Sequence, residues 1–571
     1  MQLLKRYIPF LSWITTYNKS MLMSDTVAGL TVGIMLIPQG MAYAMLAGLP
    51  PEYGLYSALI PQVVYAFLGT SRQLAVGPVA MDSLLVASIV SALAANPEHY
   101  IDLAITLAFM MGALQFILGV LRFGFLVNFL SKPVISAFTF AAALIIGLNQ
   151  LKHLVGISFD KGVTTNTIQD LAVQVAKHIS DVNWVTLAIG IAGIIIIKVI
   201  KKVSKKTPAA LVVVVLGILV VYLFRLDLKG VKIVANIPQG LPEFGLPNFS
   251  FEDFKALIPA AFTIALIAFM EAISVAKAIE EKHTDYKVDA NQELIALGAS
   301  NFAGSFLKSY PGTGGFSRSA VSDQAGAKTG VAAIISALLI MFTLLFLTDY
   351  FWYLPKALLG SIIMVAVFGL IDLKVPKNLW KLDKIEFVIY VITFISTLTI
   401  GIQQGIGIGV LLSLLFIVYN VSYPNIVVMG EIKGTNEFRN IERYPEAVTD
   451  VDILIIRLDA RLFYANMNVL RDKIHQEIVD SNNSIELVIL SGKAINGIDA
   501  SSLEMLKNLI KSLNDLGIEL YLTGFKGKVR DKIKQAGLAD KELKNKCFIS
   551  VKSGIDYFRN EMIDEKFMEK F

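Results

Sequence analysis

The chain has 571 residues, of which 55% are hydrophobic and 17% charged, with a net charge of +5 and a mean hydropathy of +0.62. An ordinary soluble domain carries about 25% charged residues, so intrinsic disorder is excluded and the deficit argues against a wholly soluble protein. A single cysteine, Cys547, and five histidines exclude an intrachain disulfide and argue against a Cys- or His-built metal cluster; no cofactor is expected.

Charge is unevenly spread. Residues 431–571 hold 22 Lys and Arg with 23 Asp and Glu, whereas the first 430 residues hold 29 and 23. An apolar block therefore precedes one of ordinary polarity. Residues 1–24 include Lys5 and Arg6, show no cleavable-signal pattern, and are expected to be an N-terminal cytoplasmic segment.

Apolar runs long enough to cross a ~30 Å hydrocarbon layer then recur. They fall at 26–46, 53–69, 99–120, 133–149, 183–200, 208–224, 256–280, 291–306, 329–348, 356–372, 385–402 and 404–421. Two further segments, 78–94 and 316–326, are apolar but short or interrupted. Together they predict an α-helical polytopic membrane protein of fourteen segments, with both termini on one side. Lys5, Arg6, Lys19, Arg122, Lys132, Lys198, Lys201, Lys202, Lys205, Lys206, Lys374, Lys377 and Lys381 all fall on one parity of loops, while 47–52, 95–101 and 401–404 have no Lys or Arg. The excess of basic residues marks the cytoplasmic side, so both termini are expected in the cytoplasm and the chain in the plasma (inner) membrane.

The two odd segments are the third and tenth of fourteen. In SRQLAVGPVAMDSLLVASIV, Gln73 to Val76 reads as extended and Pro78 as a residue that can only start a helix, in its first turn. In SYPGTGGFSRSAVSDQAG, Pro311, Gly312, Gly314 and Gly315 forbid a continuous span, so a helix can begin only near Phe316 or Ser317. Matching broken segments seven apart point to a seven-plus-seven inverted repeat. Irregular backbone at membrane depth survives only in a cavity, where a helix N-terminus offers unpaired N–H groups and about half a positive charge. Two such ends facing each other, with Arg318 in the first turn of the second, predict an anion site. The competing reading is a pair of kinked helices with a snorkelling arginine.

After the last span, VDILIIRL (451–458), ELVILSG (486–492) and IELYLTG (518–524) read as strands, with helices over 466–480, from about 500, and after 526. The alternation predicts a compact α/β domain over 425–571. The Lys-rich stretch 526–546 reads as a solvated helical face, and no nucleic-acid partner is expected.

Several motifs carry a resemblance. DTVAGLTVGIMLIPQGMAYAMLAGLPPEYGLY (25–56), FMEAISVAK (269–277), NQELIALGASNFAGSF (291–306) and GGFSRSAV (314–321) resemble the motifs of the SulP family of sulfate permeases and related anion transporters. INGIDASSLEMLKNL (495–509) resembles the STAS domain. The resemblance implies a transmembrane transport domain over 25–424, divided into core and gate domains, then a STAS domain, in a homodimer that works by elevator-like alternation. It places substrate-binding positions at Gln39, Tyr43, Val79, Ser317 and Arg318. Relatives often carry an aromatic residue where Val79 stands. For each of these residues plain helix packing is the alternative.

Glu271 lies inside an apolar run, where a carboxylate is expensive. The resemblance implies proton coupling at this position, and Val275 weakens a sodium site. A permanent ion pair with Arg318 or Lys277 is the alternative. Asp82 and Asp323 are further candidates for the coupling role, with helix packing or solvation as the favoured reading of both. Within the STAS resemblance Ser501 matches a phosphorylated serine, with a plain helix cap by Asp499 or Ser501 as the competing reading. The expected function is secondary transport of a small inorganic or carboxylate anion, sulfate first, with bicarbonate, chloride or a dicarboxylate open, coupled to protons in a lipid bilayer. An uncoupled anion channel or exchanger and a STAS-linked sensor are the alternatives. No enzyme constellation is present in the sequence.

Overall fold

Asn18 opens the first long helix, accepting from the Met21 amide at 3.1 Å, and α1 then runs Lys19–Leu46. The structure is a computed structural model that describes residues 8–125, 131–159, 167–203, 209–247, 250–369, 371–482 and 484–559. Lys5, Arg6, Lys205 and Lys206, used in the charge argument, lie outside the described residues. Two compact units divide the chain, Met1–Ser413 and Leu414–Phe571.

In the first unit α2 (Pro51–Tyr56) and α3 (Ile60–Leu68) replace the single span expected over 53–69. Pro61, in the first turn of α3, lacks the amide that a continuous helix would need from it. Next come α4 (Ala80–Leu93), α5 (Pro97–Val120), α6 (Lys132–Val155), α7 (Trp184–Val203) and α8 (Ala209–Phe224). The second half holds α9 (Phe251–Glu280), α10 (Ala290–Ser305), α11 (Phe316–Gln324), α12 (Val331–Phe346), α13 (Lys356–Phe368), α14 (Lys384–Thr399) and α15 (Ile402–Ser422), whose last residues, from Leu414, fall in the second unit. Among the described residues six helices are long and apolar enough to cross a membrane by length and composition: α1, α5, α6, α7, α9 and most of α15. Others fall short for a physical reason. At 1.5 Å per residue, the nine residues of α11 cover only about 14 Å, half a bilayer core.

The halves repeat with a spacing of seven spans. Helix α1 packs on α12, and its counterpart α9 packs on α5, the counterpart of α12. Likewise α6 packs on α14 as α13 packs on α7. At the centre the two extended segments pair antiparallel, β1 (Val76–Gly77) with β2 (Thr313–Gly314), in the register Val76 to Gly314 and Gly77 to Thr313. An antiparallel pair is what an inverted repeat produces where equivalent strands meet at its axis.

In the second unit a mixed sheet runs in the order β4-β3-β6-β7-β8-β9. Its strands are β3 (Ile426–Ile432), β4 (Phe438–Asn440), β6 (Ile453–Leu458), β7 (Leu487–Ser491), β8 (Glu519–Thr523) and β9 (Cys547–Phe548), with β5 (Ala447–Val448) paired to β3. Strands β6 to β9 are parallel, joined by helices α16 (Met467–Asp480), α17 (Ala500–Asp515) and α18 (Gly527–Gln535), and α19 (Val551–Phe558) follows. The three strands read from sequence are there; β3, β4, β5 and β9 are additional.

Candidate functional site

The site is built by two interrupted segments. Val79, extended, precedes α4, and Gly315, extended, precedes α11; neither supplies a side-chain hydrogen bond to its helix. By contrast α1, α5 and α10 are capped by Asn18, Asn96 and Asp289. The first-turn amides of α4 and α11 are therefore not taken up by a cap, and each helix end carries partial positive charge. The segments are braced from all sides. The Asn301 side chain clamps Gly312 through two 3.0 Å bonds, and Thr313 Oγ1 donates to Ala268 O at 2.6 Å. Ser319 Oγ accepts from the Ala75 amide at 2.9 Å, tying the two stubs together.

Both ends open on one cavity of about 310 Å³. The structure brings Gln39 and Tyr43 of α1, Val79, Glu271 of α9, and Ser317 and Arg318 of α11 onto its wall. Arg318 is 1% exposed to bulk water. Its Nη1 donates to Pro78 O at 2.7 Å, which fixes the guanidinium between the two stubs. Its Nε and Nη2 have no hydrogen-bond partner among the described residues, and neither does the buried Gln39 Oε1. Unpaired donors on a buried cation are costly, so this arrangement calls for an acceptor-rich, negatively charged guest. A Cβ at Gly315 would lie 2.7 Å from Arg318 Nη2, so a side chain there would have to displace the guanidinium.

Glu271 is partly exposed, on the cavity side, and its charge is felt by Arg318. Among the described residues it makes no ion pair within 4.0 Å. Lys277, the other partner considered, is engaged with Glu280 at 2.7 Å and with Val288 O. Asp323 is bound by His283 at 2.7 Å and Lys282 at 3.2 Å, away from the cavity lining. Asp82 is wholly buried, which of the two sequence readings is the packed one and not the solvated one.

Sequence reasoning missed Phe316, Met35, Met81 and Lys201, which share the lining with Ile362, Val365 and Ala366 of α13. Phe316 supplies an aromatic face where Val79 lacks one. Lys201 read as a topology signal, yet it stands near the end of α7 and adds a second positive charge at the wall. Its distance along the helix from an apolar neighbour gives no hint of this; only the packing of α7 in the bundle does.

In the second unit Ser501 is exposed in the first turn of α17. The cap is Asp499, which accepts from the Ser502 amide at 2.8 Å and from the Tyr464 amide at 3.2 Å. Partial burial pulls the Asp499 carboxyl upward, and these amides outweigh it, holding the carboxyl below the usual range.

Known proteins resemble this chain over nearly its whole length. Residues 22–393 match the sulfate permease family and residues 444–566 the STAS domain. "Sulfate transporter 4.1, chloroplastic" of Arabidopsis thaliana is 38% identical over 581 residues, covering 98% of this chain and 84% of that protein. "High affinity sulfate transporter 2" of Stylosanthes hamata is 34% identical, covering 97% and 86%. The murine Solute Carrier 26 family member A9 anion transporter, in an inward-facing state, superposes with a TM-score of 0.91 at 26% identity, covering 98% and 95%. The transmembrane domain of a cyanobacterial bicarbonate transporter shares the fold, with a TM-score of 0.58 at 22% identity over 70% of this chain and 98% of that one. The chain belongs to the sulfate permease family and is a multi-pass membrane protein with a C-terminal STAS domain.

Proposed function

We propose that this chain is a secondary transporter of a small anion, sulfate first, coupled to protons through Glu271. The observation that carries the reading is the buried Arg318, clamped to Pro78 with two nitrogens unpartnered beside two helix N-termini free of side-chain caps. Its relatives include proteins named as sulfate transporters. Gln39 and Ser317 complete the polar wall, and Tyr43, Val79 and Phe316 shape it.

In this mechanism the anion replaces the missing acceptors of Arg318 and binds across the two helix ends. The core, α1–α5 with α9–α12, then shifts against the gate, α6–α8 with α13–α15, carrying the site from one face to the other in a homodimer in the plasma membrane. Moving one charge against an inside-negative potential costs about 2.3 kcal/mol per 100 mV, and a dianion twice that. A proton on Glu271 offsets one charge and adds the energy of the pH gradient.

The test is radiolabelled sulfate uptake into proteoliposomes under an imposed pH gradient. Wild type should accumulate sulfate when the outside is acidic, Glu271→Gln should lose the response to pH, and Arg318→Ala should lose uptake. Equal acid-driven uptake by wild type and Glu271→Gln rejects the coupling role.

A further inference from the structure

We propose that Asp82 is a second proton-carrying carboxylate, loaded with Glu271 and a divalent anion, so that two protons accompany each dianion. The inference rests on the transport reading above and deepens it.

Among the described residues of the membrane unit three carboxylates are 0% exposed: Asp25, Glu293 and Asp82. The first two are saturated with donors. Asp25 accepts from the Lys328 and Thr329 amides at 2.6 and 3.1 Å and from Thr329 Oγ1 at 2.6 Å. Glu293 accepts from Tyr65 OH at 2.6 Å, from Thr70 Oγ1 and N at 2.5 and 2.7 Å, and from the Ser71 amide. Such carboxylates are structural. Neither oxygen of Asp82 has a partner among the described residues. A buried charge with no donor is costly, and a bound proton removes it.

Its position ties that proton to the anion. Asp82 lies in the first turn of α4, directly after the cavity-lining Val79, Ala80 and Met81. An ionised carboxylate there takes up the helix-end charge that the anion needs. Proton binding at Asp82 and anion binding therefore favour each other, reciprocally. Helices α1, α5, α6 and α9 pack against α4. Glu271 on α9 is the titratable group whose charge bears on Asp82, and Asp82 in turn bears on Tyr310, whose hydroxyl meets Ser83 Oγ at 3.0 Å. Tyr43 on α1 and Arg318 on α11 interact with Glu271. With both carboxylates ionised, Arg318 leaves the core side of the empty site with one net negative charge, Lys201 standing on the gate helix α7 and outside this sum. A dianion arriving with two protons leaves it at the same one negative charge. The moving core then carries equal charge loaded and empty, and the cycle is electroneutral.

The experiment is equilibrium accumulation of labelled sulfate by full-length protein in proteoliposomes, with pH gradient and membrane potential set independently. Wild type should accumulate about a hundredfold per pH unit and ignore the potential, whereas Asp82→Asn should accumulate about tenfold per unit and lose about fifty-fold at 100 mV inside-negative. Asp82→Glu, which keeps a carboxylate, should retain the hundredfold slope. A wild-type slope of tenfold, or an Asp82→Asn protein with wild-type slope and voltage response, overturns this inference and leaves coupling through Glu271 standing. A wild type that ignores the pH gradient overturns both. If Asp82→Asn does not fold, the wild-type slope and voltage response decide alone.

Discussion

At the scale of single residues the decisive quantity is whether a buried polar atom has a partner. Arg318 was legible in the sequence because a cation in an apolar setting after a Gly-rich stub has few uses. Its free nitrogens were not legible, since they depend on Pro78, which lies 240 residues away. For Asp82 the choice between packing and solvation stayed open for the same reason: the sequence shows an Asp at a helix start and not the helices that close over it. Gly315 leads to a prediction here. Its missing Cβ leaves room for the guanidinium, and a methyl 2.7 Å from Nη2 would push it off Pro78 O. Gly315→Ala should weaken sulfate binding by tenfold or more, on the order of the loss of a charge-assisted hydrogen bond. Ligand-induced thermal shift of the purified protein measures it, and an unchanged affinity would sink the argument.

At the scale of elements, apolar run length and Pro/Gly breaks located the helices, because lipid forces the backbone to pair within each segment. The break between α2 and α3 escaped notice, as apolar side chains continue through it. The sheet domain was read in part. Strands β6, β7 and β8 announce themselves as buried apolar runs, whereas β3 went unread at the start of the domain, and β9 is two residues long. How helices approach one another is set by small residues. A Cβ on Gly112 would stand 2.3 Å from Phe302 N, and one on Gly298 2.3 Å from Phe116 N, so α5 and α10 cross backbone to backbone. Gly298→Leu should lower the thermal midpoint in detergent, at a cost of about 1–3 kcal/mol or more for overpacking. Gly407→Leu, with nothing within 4 Å of a built Cβ, should leave it unchanged. In the sheet domain, Arg559 after α19 grips Asp452 before β6 through two bonds of 2.6 and 2.7 Å and holds the Asp452 carboxyl below the usual carboxylate range. A depressed carboxyl stabilises the fold above its unfolded value near pH 4 and loses that contribution as pH falls through the folded value. Arg559→Ala should therefore speed amide exchange of α19 at neutral pH, by about 1 kcal/mol or less for a partly exposed pair, and change nothing in strong acid.

At the scale of the whole molecule the unresolved matter is orientation, which basic residues argue and the fold alone does not. The charge rule places Lys377, in the helix Lys374–Leu382, on the cytoplasmic side and the loop holding Ala95 on the other. Both are exposed. The chain supplies a convenient reporter background, since its single cysteine, Cys547, is buried in the sheet domain. In a Cys547→Ser protein, an Ala95→Cys variant should react with a membrane-impermeant maleimide added to intact cells, and a Lys377→Cys variant should react only after permeabilisation. The reverse pattern would invert the chain. It would also invert the transport reading, because Lys201 and the exposed end of α13 at Gly369 lie on the cavity wall. Lys201 and Lys377 share a parity of loops, so labelling that puts Lys377 inside makes this conformation one whose anion site faces the cytoplasm, the state that releases an imported anion.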